Sequence, residues 1–148
     1  MKLHTPRIDP ILRRFFDREL RGKDAPARVR IEAMESRLRQ YLESSADRIL
    51  TDGELMLVQA EREFDPVGAF ARCLDEEVLL FSLPGFVEGD RLADDMRERI
   101  TQLEVTAHLL QFLLARPFAQ EADYSCIAHS IRHVLELARD AMRASVQG

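Results

Sequence analysis

The 148-residue sequence has no tryptophan and few other aromatic residues. Aromatic side chains make up only 7% of the chain, so it has little material for a sugar-stacking platform or for a surface that stacks single-stranded bases. The formal net charge of −5 excludes a uniformly basic nucleic-acid-binding protein, although it leaves room for a local basic patch.

Cysteine and glycine are also scarce. Cys73 and Cys126 lie far apart in apolar stretches, with no CxxC motif and no Cys/His cluster, which predicts buried, reduced thiols and not a disulfide framework. The six glycines are scattered, so none forms a phosphate-binding loop. No serine or cysteine nucleophile has a base at a recognisable spacing. We therefore expect no enzymatic activity, no catalytic residue and no bound cofactor.

Long hydrophobic runs are missing as well. The most apolar stretches, Val78–Val87 and Val105–Ala115, are well short of the roughly 20 residues that a transmembrane helix needs. The first ten residues lack the apolar segment of a secretory signal. We expect a protein that does not associate with membranes and is cytoplasmic.

Apolar residues recur every three or four positions along the chain, and no alternating run predicts a strand. A capping residue followed by proline, or a capping box, is a typical helix start. Four such starts are present: Asp9-Pro10, Asp24-Ala25-Pro26, Thr51–Glu54 and Asp65-Pro66. The helix that starts at Asp65-Pro66 is expected to end at Leu83-Pro84-Gly85, because proline breaks the hydrogen-bond ladder.

Two further helices are predicted at about 90–115 and 122–144. The second half of the first of these is apolar on nearly every side, which is typical of a buried helix. The sequence thus predicts an all-α fold, a single-domain bundle of about six helices over residues 1–148. The helix at 90–115 is its buried central helix, and residues 1–8 are a flexible N-terminal segment. Rossmann, P-loop and barrel chemistries have no scaffold in such a chain.

Charge is unevenly distributed along the sequence. Residues 1–50 carry a formal net charge of +4 and residues 51–104 one of −9. Much of the early positive charge, including Arg14, Arg18 and Arg21, lies at the end of the first helix and the start of the second. Such a face suits a phosphate-rich or acidic partner, whereas a merely solvated face is the commoner meaning of a charge run. A DNA-associated accessory function is therefore an alternative that we do not favour.

Two pairs of residues are candidate polar sites. His129 and His133 have a spacing that lets two imidazoles bind one divalent ion. Their helix face lies nearly opposite the apolar stripe, so we predict that it faces solvent and holds no metal. His108 lies in an apolar stretch one turn after Glu104 and is either a tuned acid or base or, as we prefer, a core histidine with paired polar atoms. A pocket there would indicate a small-ligand or metal-binding bundle.

Two short stretches resemble known families. His129-Ser130-Ile131-Arg132-His133 looks like the HxLRH box of tyrosine recombinases, and Ile11–Leu42 is similar to their small helical DNA-clamping domain. That family implies a nucleophilic tyrosine well after the box, but none occurs in the 15 residues that follow it here. Ala71–Glu76 is similar to a stretch in the helical domain of DotU-type secretion proteins, whose tryptophan and Gly-Gly-Glu features are absent. Neither resemblance transfers a function.

The remaining interpretation is a non-enzymatic helical protein that acts through a protein partner or through self-association, as a homo-oligomer. Phe86 and Val87 are apolar residues in the turn at 84–89, where a partner or a second copy can cover them. The alternative is that this turn folds back onto the core. The sequence identifies neither the partner nor the biological process.

Overall fold

A computed structural model describes residues 6–147, apart from the side chains of residues 146 and 147. These residues form seven α-helices and no β-strand, which confirms the predicted all-α fold. The helices are α1 (Ile8–Leu20), α2 (Ala25–Ser44), α3 (Asp52–Phe64), α4 (Ala69–Cys73), α5 (Glu76–Phe86), α6 (Met96–Leu114) and α7 (Ser125–Gln147). Short 3-10 turns lie at Ala46–Ile49, Gly89–Arg91 and Pro117–Gln120.

The chain divides into two compact units, with the boundary between Ser82 and Leu83. We call them the N-terminal unit and the C-terminal unit. That residues 1–148 form one domain stays a prediction.

The core of the N-terminal unit is built on α1 and α2. The side chain of Asp24 caps α2 by accepting a hydrogen bond from the Ala27 amide at 2.9 Å, and proline follows in the first turn, as the sequence predicts. Each of the two helices buries one apolar stripe. The buried residues are Ile8, Ile11, Leu12, Phe15 and Phe16 on α1, and Ile31, Met34, Leu38, Tyr41 and Leu42 on α2.

Only part of the segment expected to be flexible lies within the described residues. Residues 1–5 lie outside them, and for residues 6–8 the expectation is wrong. The Ile8 amide donates to the Leu74 carbonyl at 2.9 Å, and the Glu76 amide donates to the Pro6 carbonyl at 3.2 Å. Ile8 is fully buried at the start of α1. Long-range backbone pairing, which local composition does not reveal, orders this stretch.

The helix predicted from Asp65-Pro66 to Leu83 is two helices, and the first of them starts at Ala69, because Asp65 ends α3. Gly68, at φ 74°, precedes α4, and Leu74 is extended, so the chain breaks before α5. The predicted stop at Pro84 is wrong, because α5 continues through Pro84 to Phe86. Pro84 lies two residues before the end of α5, so the lost backbone donor and the crowding of the preceding turn affect only the end of the helix.

In the C-terminal unit, α6 starts later than predicted, at Met96, where Asp95 caps it by accepting from the Glu98 amide at 3.0 Å. The helix has the long buried face that was predicted, but Glu104, His108 and Gln111 are exposed. It is therefore buried on one side. The described helix that is covered on nearly every side is α5, in which Phe81 alone is exposed.

Candidate interaction surface

Polar contacts join one side of α3 to the rest of the N-terminal unit. The Arg62 guanidinium donates to both carboxylate oxygens of Asp47, at 2.7 and 3.0 Å, and to the Glu43 carbonyl at 2.9 Å. The hydrogen bond to Asp47 raises the pKa of Arg62 above its ordinary value. The only buried residue of α3 is Val58. This helix thus buries little apolar surface, and polar contacts of Arg62 join it to neighbouring segments.

The opposite side of α3 is apolar and faces solvent. The exposed fraction is 70% for Met56, 48% for Leu57 and 89% for Phe64, and Ala60 between them is also exposed. The spacing of these four residues puts them on one helix face, which we call the α3 stripe. Burying a large apolar side chain is worth about 1.5–3 kcal/mol. The α3 stripe therefore offers a strong gain to any surface that covers it.

Carboxylates border the α3 stripe. Asp52 and Glu63 lie on the same edge of the helix, beside Met56, and both are exposed. Neither makes an ion pair or hydrogen bond with a described residue. In contrast, Glu61 pairs with Arg72 of α4 at 2.8 Å. The stripe thus has one edge whose negative charge is available to a partner.

The C-terminal unit carries a second apolar surface, an open groove of about 440 Å³ between α6 and α7. Four apolar residues line its floor and three charged residues its edges: Met96, Ile100, Leu103 and Met142, and Glu104, Arg139 and Arg143. We call it the α6–α7 groove. The exposed fraction of Met96 is 39% and that of Ile100 is 42%, so part of the floor is open to solvent.

Two arginines of α7 give one edge of this groove positive charge. Arg139 is half-buried and makes no ion pair or hydrogen bond with a described residue. Arg143 pairs with Asp140 at 3.2 Å, but both side chains are largely exposed, so water weakens the pair. Glu104 is the one carboxylate that borders the groove. The edge formed by α7 therefore favours a partner with negative charge.

Neither the α3 stripe nor the α6–α7 groove was predicted from the sequence. Residues 55–58 are four consecutive apolar residues, which point in all directions around a helix, so the pattern does not show which of them the fold leaves uncovered. The groove includes Glu104, a residue singled out from the sequence, but for its nearness to His108. One signal was available: α3 has apolar residues on two faces, and a helix on the outside of a protein buries only one.

The predicted basic residues Arg14, Arg18 and Arg21 are exposed, on one face of α1 and at its C-terminal end. The large apolar residues of α1 are buried, except for Leu20, which is half-buried. This face therefore offers charge without an apolar centre. A role for it in DNA binding stays a prediction.

Phe86 and Val87 do not form an exposed apolar turn. Their exposed fractions are 2% and 1%, so the expectation that a partner covers them is wrong. The reason is that α5 extends to Phe86, and the buried Gln102 side chain donates to the Phe86 carbonyl at 3.0 Å. The alternative, in which the segment folds onto the core, describes the structure.

The preferred interpretation of His108 as a core histidine is also wrong, because its side chain is exposed on the polar face of α6. It does not line the α6–α7 groove. Glu104, one turn earlier, is exposed as well. Leu109 and Leu110, the residues that follow His108, supply the burial expected of this stretch.

His129 and His133 face solvent on α7, as predicted. Their rings stack in parallel, with centroids 6.4 Å apart and an interplanar angle of 7°. Within residues 6–147, no three or more histidine, cysteine or acidic side chains converge in a way that fits a metal ion. The pair is therefore two ligands without the third and fourth that a protein zinc site needs.

Both cysteines are free thiols. Cys73 is half-buried, and burial, followed by the charge of Glu61, raises its pKa. Cys126 is exposed, so the prediction of two buried thiols is wrong for this residue. Cys126 lies in the first turn of α7, before the residues that form the apolar stripe of that helix, so it is not covered by the core.

None of the described helices combines the length and apolarity needed to cross a bilayer. Comparisons with protein-family models, with curated proteins and with solved structures found no match to the chain.

Proposed function

We propose that this is a non-enzymatic helical protein that acts by self-association, and that the α3 stripe is the surface each copy presents to another. The observation that carries the proposal is the exposure of Phe64, which is 89% accessible at the end of a continuous apolar face. Contiguous apolar surface of this kind marks protein interfaces.

The shape of the surface favours a protein over a small molecule as its partner. Small ligands bind in concave pockets that cover most of their surface, whereas the α3 stripe is the convex side of a helix. An amphipathic helix whose anchors recur one turn apart is a common ligand of a groove on another protein. Met56, Ala60 and Phe64 have this spacing.

The charge of the chain favours a second copy as that protein. The carboxylates of Asp52 and Glu63 pair with no described residue and call for positive charge next to an apolar surface. The same chain carries its excess positive charge in other segments: residues 1–50 have a net charge of +4, and Arg139 lies beside an apolar groove. Each copy can therefore offer another copy the opposite charge.

Sedimentation equilibrium over a range of protein concentrations tests the proposal. We expect the wild-type chain to self-associate and Phe64→Glu to weaken the association by at least about tenfold, which corresponds to 1.4 kcal/mol. The matched control is Leu137→Glu, because Leu137 is 55% exposed on the side of α7 away from Arg139. It should associate like the wild type. A wild-type chain that is monomeric at high concentration contradicts the proposal, as does equal weakening in both variants.

A further inference from the structure

We infer that the α3 stripe of one copy docks in the α6–α7 groove of another, so that the copies associate head to tail. The inference rests on the proposed function and names the receptor for the α3 stripe. Two features of the described residues carry it: the apolar match between the surfaces and the match of their charges.

The floor of the groove suits a helix with large apolar anchors. Met96 and Met142 are flexible and polarisable, so they adapt to the shape of an inserted aromatic ring. Ile100 lies between the turns that carry Met96 and Leu103 and is 42% exposed. A groove between two helices is a usual receptor for an amphipathic third helix. Insertion of Phe64 would cover apolar residues that both partners leave exposed.

The charged edges also match. Arg139 and Arg143 follow each other by one turn on α7, and Arg139 has no partner among the described residues. Asp52 and Glu63 lie on one edge of α3 and are likewise unpaired. When this edge of α3 faces α7 of the second copy, its carboxylates lie beside guanidinium groups. This arrangement favours the encounter of the two copies and sets their orientation. The association should therefore weaken as the salt concentration rises.

Other occupants of the α3 stripe within a second copy fit less well. The face with Arg14, Arg18 and Arg21 has positive charge, but α1 exposes none of its large apolar residues there. A symmetric pair of α3 helices buries apolar area, but in an antiparallel pair the edge with Asp52 and Glu63 meets the same edge of the second copy. In a parallel pair it meets the edge with Glu54, where the charge of Glu61 is already compensated by Arg72. Like charges brought together in an interface oppose binding.

Head-to-tail docking has a consequence that symmetric docking lacks. Each copy carries one helix to insert and one groove to receive, so the two surfaces can be inactivated separately. Such contacts close into a ring or continue into a chain. A copy with a defective helix and a copy with a defective groove still have one intact helix and one intact groove between them.

The test mixes two variants of the full chain, Phe64→Glu and Ile100→Glu, the second of which places a charge on the groove floor. Each variant alone should self-associate at least about tenfold more weakly than the wild type. An equimolar mixture, with one variant fluorescently labelled in sedimentation velocity, should form a one-to-one complex that neither variant forms alone. Circular dichroism confirms that both variants keep their helices.

A second groove variant guards against misfolding of the first. Arg139→Glu reverses the charge of a partly exposed side chain, and Arg132→Glu, exposed on α7 outside the groove, is its matched control. Only Arg139→Glu should weaken association and reduce its salt dependence. If the wild type associates, and Ile100→Glu and Arg139→Glu associate as strongly as the wild type or the mixture stays dissociated, the groove is not the receptor. In that case this inference fails but the proposed function stands. If the wild type does not associate, the proposed function fails with it.

Discussion

Gln102 shows how one buried polar side chain orders a loop of this protein. It lies on α6 and is fully buried, and its amide makes three hydrogen bonds to the backbone before α6. The carbonyl oxygen accepts from the Ala93 amide at 2.8 Å, and the amino group donates to the Phe86 and Arg91 carbonyls, both at 3.0 Å. All its hydrogen-bonding groups are satisfied, which is the condition under which a buried amide stabilises a fold.

We predict that Gln102→Leu lowers the free energy of unfolding by about 2–3 kcal/mol, because it leaves one backbone donor and two acceptors without their partner. Urea denaturation followed by circular dichroism measures the loss. The control is Gln111→Leu on the exposed side of the same helix, which should change stability by less than about 0.5 kcal/mol. Equal effects of the two substitutions would show that the hydrogen bonds of Gln102 do not hold the loop.

At the scale of single helices, local cap signals predict the starts of α2 and α3, but those at Asp9-Pro10 and Asp65-Pro66 do not mark the starts of α1 and α4. The cap at Asp24 and the capping box at Thr51 and Glu54 are where the local signals put them. The break between α4 and α5 is not predictable in this way. It depends on the pairing of Leu74 with Ile8, and no local pattern reports a contact between residues so far apart. The same limit applies to α3, whose uncovered face depends on what the rest of the chain leaves free.

The basic face of α1 is the element whose role separates our account from the DNA-binding alternative. Because its three arginines surround no exposed large apolar residue of α1, we expect it to act as a solvated surface. The triple variant Arg14→Glu/Arg18→Glu/Arg21→Glu should associate with itself like the wild type, and the wild type should not shift duplex DNA at low salt. A shift that high salt and the triple variant both abolish would establish the alternative function.

At the scale of the whole molecule, the interaction protein favoured by the sequence stays a prediction, but the apolar residues chosen for its interface are buried. Phe86 and Val87 are apolar residues beside a proline and a glycine, a local pattern typical of an exposed turn. Their burial results from the continuation of α5 and from the hydrogen bond of Gln102, which the local pattern does not contain. The α3 stripe shows the opposite: its residues have a sequence pattern typical of a core, but they are exposed. In both cases the deciding contacts are distant in sequence.

The negative charge of residues 51–104 gains a physical meaning if the copies associate. The acidic middle of the sequence contains the α3 stripe, and the groove with Arg139 and Arg143 lies after it. Charge of opposite sign on two separate apolar surfaces favours binding between different faces of identical molecules over binding between like faces. The association that we propose therefore has a direction, which is the most specific property to test.

Photo-crosslinking from the centre of the α3 stripe tests this account most directly. The variant Phe64→benzoylphenylalanine keeps an aromatic side chain at the position, and mixing it with isotopically labelled wild-type chain identifies crosslinks between copies. Mass spectrometry of the irradiated mixture should place the crosslinks on Met96, Ile100 or Met142 of the labelled copy. Crosslinks on residues 52–64 of the labelled copy, or none between copies at a concentration where the chain is associated, would contradict the account.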